Sequence, residues 1–235
     1  MTYTQVVTEL KQAANPIFAK NLARFFKTGK GEYGEGDIFL GIKVPIQRQI
    51  AKKYKDLKLS DVQKLLSGKY HEHRLTGLLI LTYKYPKATP REKEEIIKLY
   101  LKNTRNINNW DLVDLSAHKL LGQHLYDQLA DKKILTKFAH SIDLWERRIA
   151  VLSTFAFINN KQYKEALQIS EILVNDKHDL IHKAVGWMLR EIGKKDLTTE
   201  EKFLQKHYKT MPRTMLRYAI ERFPEEKRKF YMGKK

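Results

Sequence analysis

The chain has 235 residues, of which 42% are hydrophobic and 11% aromatic, so it can bury a core and is not intrinsically disordered. It contains no cysteine, which excludes disulfides and thiolate metal sites and is typical of a reducing, cytoplasmic setting. Its 45 Lys and Arg residues outnumber 27 Asp and Glu residues, and the net charge of +18 favours a nucleic-acid partner, although a general bias towards basic, soluble proteins would produce the same excess.

Apolar residues recur at helical spacing along almost the whole chain, as in Leu78, Leu79 and Leu81, whereas alternating strand patterns are scarce. Helix starts are marked by short polar residues, by early prolines and by acids in the first turn. In chain order these starts lie at Ser60-Asp61, Thr89-Pro90, Asp143, Thr198-Thr199, Pro212 and Pro224. The sequence therefore predicts an all-α fold.

A weak internal repeat places related segments around positions 74, 111, 148, 183 and 217, which are 34 to 37 residues apart. A period in this range, built from helix pairs, is typical of an α-solenoid. Because tetratricopeptide and ankyrin signatures are absent, irregular HEAT-like antiparallel pairs fit better. We therefore expect residues 1–235 to form a single HEAT-like domain, curved and with a basic concave face that suits duplex DNA.

The most informative segment is Asn109-Trp110-Asp111-Leu112-Val113-Asp114. Trp110 and Asp114 are four residues apart at a predicted helix start and so share one helix face. An aromatic surface beside a fixed carboxylate stabilises a cation forming on a sugar. A buried Trp beside a surface Asp would explain the pair equally well. Asp111 is more simply explained as a complement to the helix dipole.

A second constellation is Lys183, Trp187 and Arg190, which are spaced i, i+4, i+7 and place an indole between two cations. This arrangement suits a phosphate–sugar edge better than a core. Gly186 disfavours a helix, so its presence predicts a close approach of another element. Arg148, next to Arg147, is a further candidate for phosphate binding, with a salt bridge to Glu146 or a neighbouring helix as the alternative.

Two basic clusters add to these candidates. The first spans residues 43–58 and includes Lys43 and Arg48, and the second runs from residue 204 to Lys234 and Lys235. Many of these side chains are expected to be solvated. As a group they could neutralise several phosphates and make binding steeply salt-dependent.

Several other chemistries lack their sequence patterns. The eight histidines show no H-x-x-x-H or H-E-x-x-H spacing, so we predict no metal site. No Walker A, dinucleotide fingerprint or nucleophile elbow occurs, so no cofactor is expected. No apolar run approaches the ~20 residues of a membrane span, and no targeting pattern opens the sequence. We expect a cytoplasmic monomer without a membrane partner.

Segments 39–45, 110–114, 145–150 and 183–191 resemble, in order, the motifs of the AlkD family of alkylpurine DNA glycosylases. The Trp-Asp-x-Val-Asp and Gly-Trp-x-Leu-Arg-Glu elements together carry the resemblance. One departure is Lys43-Val44, which stands where polar, uncharged residues are usual, so detailed contacts to the strand opposite the lesion are not carried over.

The resemblance implies a HEAT-like solenoid that cradles duplex DNA and excises N3- and N7-alkylated purines without flipping the lesion into a pocket. It implies that Asp114 is the catalytic carboxylate, that Trp110 and Trp187 line the cleft, and that Arg148 contacts a phosphate. Non-catalytic relatives that bind distorted or branched DNA leave a second function open. A protein-interaction scaffold is a third, which the net charge disfavours.

Overall fold

The structure is a computed structural model that describes residues 1–128 and 131–233. Within these ranges the chain forms helices joined by turns and contains no extended strand, only an isolated parallel bridge between Ile38 and Tyr70. The predicted all-α class is therefore confirmed. The chain divides into two compact units, Met1–Ser116 and Ala117–Lys235, which we describe in turn.

The first unit consists of seven α-helices among its described residues. They are α1 (Tyr3–Gln12), α2 (Pro16–Phe25), α3 (Val44–Lys53), α4 (Leu59–Leu66), α5 (His71–Lys84), α6 (Pro90–Lys102) and α7 (Trp110–Ser116). Short 3₁₀ turns follow α5 at Tyr85–Lys87 and α6 at Thr104–Asn106.

Helix α5 forms the centre of the first unit. It packs against α3, α4 and α7, and every side chain from His71 to Thr82 is buried. A helix buried on all sides must find partners inside the protein for its polar side chains. The first turn of α5 carries four such residues, namely His71, Glu72, His73 and Arg74. Partners of His71, Glu72 and Arg74 lie in the loop before α3 and at the start of α7.

The second unit begins with a π-helical turn, His118–Gly122. Its α-helices are α8 (Gln123–Gln128), α9 (Lys133–Ala139), α10 (Leu144–Ser153), α11 (Phe155–Asn159), α12 (Lys164–Leu173), α13 (Asp179–Gly193), α14 (Leu197–His207), α15 (Arg213–Ala219) and α16 (Glu225–Met232). Helix α13 is central and packs against α10, α12, α14 and α15.

The predicted close approach at Gly186 is confirmed. A Cβ atom added there would lie 2.4 Å from the carbonyl oxygen of Met215 and 2.6 Å from the Cβ atom of Tyr218. Both belong to α15, so the missing side chain lets the two helix backbones touch.

Four of the six predicted helix starts agree with the structure, at Thr89, Asp143, Pro212 and Pro224. Thr89 forms a capping box for α6, and Asp143 accepts from the first turn of α10. Two predicted starts are displaced. Ser60-Asp61 lies inside the first turn of α4, whose N-cap is Lys58, and α14 is capped by Asp196 instead of Thr198. Short polar residues also stabilise a first turn from inside, because its N–H groups are unpaired.

The five repeat positions fall on α5, α7, α10, α13 and α15. Arg74, Asp111 and Arg148 among them are buried. Over the described part of the chain, no helix combines the length and apolarity needed to cross a membrane. A single domain with a basic concave face stays a prediction.

Candidate functional site

Trp110 and Asp114 lie on the short helix α7, as the sequence predicts. Trp110 is its first residue and Asp114 follows one turn later, and both are half-buried. The buried Asn109 side chain accepts a hydrogen bond from the backbone N–H of Trp110 at 2.8 Å, which satisfies one of the free donors at the helix start. The pair is thus neither a fully buried core Trp nor a fully exposed Asp.

The indole of Trp110 rests on an aromatic stack from α2 and the loop that follows it. Its ring centroid lies 5.1 Å from that of Phe26 at an interplanar angle of 27°, and Phe26 stacks in turn on Phe39. Phe25 meets the indole edge-on at 5.9 Å and is 63% exposed. Such contacts hold the ring in one orientation.

Directly beneath this stack lies a buried cluster of charged side chains. The Nδ1 atom of His71 is 2.8 Å from Asp37, and its Nε2 atom is 2.8 Å from Asp111. Arg74 donates to the other oxygen of Asp37. All four side chains are at most 8% exposed. With His71 protonated, two positive and two negative charges balance, which is the condition for burying ions at a tolerable cost.

The electrostatics of the cluster favour the charged form of His71. Burial by itself acts to lower the pKa of His71, but the charge and hydrogen bond of Asp111, reinforced by Asp37, raise this pKa to about 9. Burial likewise acts to raise the pKa of Asp37, and the contacts with His71 and Arg74 outweigh it and lower this pKa. At neutral pH the imidazole therefore carries a proton on each nitrogen and donates to both carboxylates.

Local sequence patterns do not predict this cluster. Asp111 was interpreted as a complement to the helix dipole, and its Oδ1 atom does accept from the N–H of Leu112 at 2.9 Å. Its larger role is the contact with His71, which the dipole interpretation did not include. The partners His71 and Asp37 are 34 residues apart, and Asp111 lies 40 residues beyond His71. No local pattern marks them; only polar residues within the apolar α5 hinted at buried partners.

A second buried carboxylate positions Lys43. The fully buried Glu72 accepts hydrogen bonds from the N–H groups of Leu40, Gly41 and Ile42 at 2.8, 2.8 and 3.1 Å. These residues lead directly into Lys43, the exposed N-cap of α3. Arg48 lies one turn further along the same helix and is half-buried.

In the second unit, α13 carries Lys183, Trp187 and Arg190 at the predicted spacing. Trp187 is half-buried and donates its indole N–H to Glu191 at 3.1 Å. Lys183 pairs with Asp179 at 2.7 Å, and Arg190 pairs with Glu221. Both cations thus contact carboxylates of their own unit. A phosphate would have to replace these partners in order to bind there.

The structure distinguishes between the two adjacent arginines. Arg148 is 5% exposed and donates to the carbonyl oxygen of Leu180. Arg147 donates to Asp176 at 2.8 Å and to the carbonyl oxygens of Ser141 and Ile142. The ion pair of Arg147 follows the alternative of a salt bridge, with a residue beyond α12 as its partner instead of Glu146. Phosphate binding by Arg148 stays a prediction.

Some cations of the two basic clusters have acidic partners. Lys53 pairs with Glu9 in the first unit, and Lys206 and Lys227 pair with acids in the second. Lys234 and Lys235 lie outside the described residues. Exposed pairs of this kind contribute little to stability and are easily exchanged for another anion.

The fold and these residues define a class of protein: an all-helical repeat protein with an aromatic–carboxylate pair at a helix start. The sequence profile of DNA alkylation repair enzymes matches residues 6–223, so the chain belongs to the DNA alkylation repair enzyme family.

A solved structure of a predicted DNA alkylation repair enzyme from Enterococcus faecalis is similar, with a TM-score of 0.70 over 90% of this chain and 97% of that chain. At 15% sequence identity this likeness concerns the fold alone. No curated protein matches the sequence.

Proposed function

We propose that the protein is a monofunctional DNA glycosylase that hydrolyses the N-glycosidic bond of N3- and N7-alkylated purines in duplex DNA. The observation that carries this proposal is the start of α7, where a stacked, partly exposed Trp110 precedes the partly exposed Asp114 by one turn. Membership of a DNA alkylation repair family supports DNA as the substrate.

Hydrolysis of such lesions requires few catalytic groups. An N3- or N7-alkylated purine already carries a positive charge, so the base leaves as a neutral molecule and needs no general acid. The protein has to stabilise the oxocarbenium-like sugar and admit a water molecule. One fixed carboxylate supplies the charge and orients the water, whereas O-glycoside hydrolysis normally uses two.

In this mechanism the carboxylate of Asp114 faces the developing positive charge on the deoxyribose. The π face of Trp110 adds a cation–π attraction of about 0.5–2 kcal/mol, which grows as charge moves onto the sugar. We propose the same kind of contact for Trp187. Interactions that strengthen towards the transition state raise the rate and not only the affinity. The resemblance to the AlkD family implies that the lesion is not flipped into a pocket, unlike in most glycosylases.

Five basic residues are proposed to hold the DNA through its phosphates: Lys43, Arg48, Arg148, Lys183 and Arg190. Lys43 is exposed and therefore accessible to a phosphate. Lys183 and Arg190 are paired with carboxylates in the free protein and would exchange these for phosphate on binding.

The test is base release under single-turnover conditions from a duplex oligonucleotide that carries one N7-methylguanine. We expect the wild-type protein to release the base and Asp114→Asn to be slower by about 100-fold or more, because a carboxylate aimed at developing charge is lost. DNA affinity should be retained. No strand cleavage at the abasic product is expected without added base, since no lysine stands out in the sequence as a Schiff-base nucleophile.

The matched control is Asp56→Asn, which removes the same charge from an exposed side chain. It should release base at the wild-type rate. If wild type and Asp114→Asn both bind the duplex and neither releases base, the proposal fails, and a non-catalytic binder of distorted or branched DNA takes its place.

A further inference from the structure

Two separate routes join His71 to the start of α7. The first runs through the polar side chains, because Asp111, bonded to His71 at 2.8 Å, is the residue directly after Trp110. The second runs through the rings. The imidazole of His71 lies 4.6 Å from the ring of Phe39 and 5.2 Å from that of Phe26, and Phe26 supports the indole of Trp110. The backbone beside Trp110 and its ring therefore rest on the same imidazole.

We propose that His71 is a positioning residue for base release: by joining Asp37 to Asp111 it fixes the first turn of α7, and with it the orientation of Trp110 and Asp114. The inference rests on the glycosylase function proposed above. His71 is 2% exposed, so it acts through its partners and does not itself meet the DNA.

The protonation of His71 is the feature of this arrangement that an experiment can change. Three charged groups surround His71. Asp37, from the loop before α3, and Asp111, from α7, pair with it directly, whereas Arg74 pairs with Asp37. The nearby Glu72 is bonded to the loop amides of residues 40–42. His73 has its pKa lowered by burial to about 4 and stays neutral.

Removing the proton from His71 leaves the cluster with one uncompensated negative charge. Only one nitrogen of the imidazole can then donate a hydrogen bond, so either Asp37 or Asp111 loses its hydrogen bond from His71. A buried charge without a partner is costly, and the anchor of α7 weakens. This change occurs as the pH rises through about 9, the value to which the two carboxylates raise the pKa of His71.

The first experiment compares His71→Asn with His207→Asn. His207 is a matched control, since it is also buried, bonded to a carboxylate (Glu171, 2.7 Å) and packed on an aromatic ring (Phe203, 4.5 Å). We expect His71→Asn to slow single-turnover base release by about 10- to 100-fold near neutral pH, because a small misplacement of reacting groups has an effect of this size. Duplex affinity should change little. His207→Asn should keep the wild-type rate.

The second experiment does not depend on activity, and its main result comes from the wild-type protein. The protein is labelled with 5-fluorotryptophan, and the fluorine resonance of Trp110 is identified by its absence in Trp110→Phe. In the wild-type protein this resonance should shift with pH with a midpoint near 9, the pKa of His71. In His71→Asn that transition should be absent.

The results separate the two proposals. If the wild-type protein releases no base, the glycosylase function fails, while the Trp110 resonance still tests the positioning by His71. If base is released, two results would contradict the positioning role and leave the function intact. These are a His71→Asn rate equal to that of wild type and a Trp110 resonance that does not shift as the pH passes through about 9.

Discussion

At the residue scale, the two units differ in how they accommodate a buried ionisable group: one pairs it with opposite charges, and the other keeps it neutral. His71 has a carboxylate on each ring nitrogen, and its cluster is neutral when it is protonated. Glu200 in α14 is 2% exposed, and its Oε1 atom has no hydrogen-bond partner within the described residues. Burial, reinforced by the charge of Glu201, raises the pKa of Glu200 to about 9, although Arg190 acts in the opposite direction. Glu200 is therefore protonated in the folded protein at neutral pH.

Glu200 should reduce stability as the pH rises. Between its unfolded pKa of 4.5 and its folded value of about 9, the folded state binds more protons than the unfolded state, so the free energy of unfolding falls with increasing pH. We expect Glu200→Gln, which stays neutral, to raise the free energy of unfolding at mildly alkaline pH by about 1–3 kcal/mol and to flatten its pH dependence.

Urea denaturation at several pH values measures this effect. Glu225→Gln, at an exposed side chain, serves as the control and should leave the curve unchanged. A Glu200→Gln protein that is less stable than wild type across the whole range would show that Glu200 is ionised and paired in the folded state.

The folded pKa of His71 is also raised, from 6.5 to about 9. Its contribution to stability is therefore complete below pH 6.5 and is lost as the pH rises through about 9, in the same direction as the effect of Glu200.

At the scale of elements, helix–helix contacts depend on side chains that are absent as much as on those present. Gly186 lets α13 approach the backbone of α15, and the carbonyl oxygen of Met215 occupies the space of a side chain. Gly77 in α5 faces side-chain atoms instead, with Leu66 at 3.1 Å and Leu65 at 3.2 Å from an added Cβ atom. Side chains can shift to make room, whereas a backbone carbonyl within a helix cannot do so cheaply.

The two glycines should respond differently to alanine. In an open helix, Gly to Ala stabilises by about 1 kcal/mol. At Gly186 we expect the clash to reverse this gain and to lower the free energy of unfolding by about 1–3 kcal/mol. Gly77→Ala should cost clearly less. Chemical denaturation of both variants tests the comparison, and a Gly186→Ala protein at least as stable as wild type would contradict the close packing of α13 on α15.

Helix boundaries show how far local sequence carries. The capping box at Thr89 and the cap at Asp143 can be predicted from local sequence because each joins residues no more than three positions apart. The start of α14 moved to Asp196, whose carboxylate accepts from Thr199 at 3.0 Å. A run of several possible caps does not indicate which of them takes the N-cap position.

At the scale of the whole molecule, the net charge of +18 governs association with a polyanion. If six or more phosphates are contacted, affinity for duplex DNA should fall by about 10³-fold or more between ~50 and ~200 mM salt. A weak salt dependence would contradict the phosphate-binding role of the basic residues and would favour an interaction scaffold.

The same titration tests one contact. Lys43→Ala should reduce the slope of log affinity against log salt by about one, because one phosphate contact is lost. Lys98→Ala is the control, since it removes an exposed lysine of α6 that pairs with Glu94 at 3.8 Å and is not among the proposed contacts. Equal slopes for the two variants would exclude Lys43 from the interface.

The sequence by itself determined the all-α class, four of the six helix starts that it predicted, the excess of positive charge, and the placement of Trp110 and Asp114 on one short helix. These properties depend on residues within about one helical turn or on sums over the chain. Only the tertiary structure decided that Asp111 pairs with His71 and that Arg148 is buried. Burial and pairing of polar groups depend on packing between elements tens of residues apart, which local spacing does not encode.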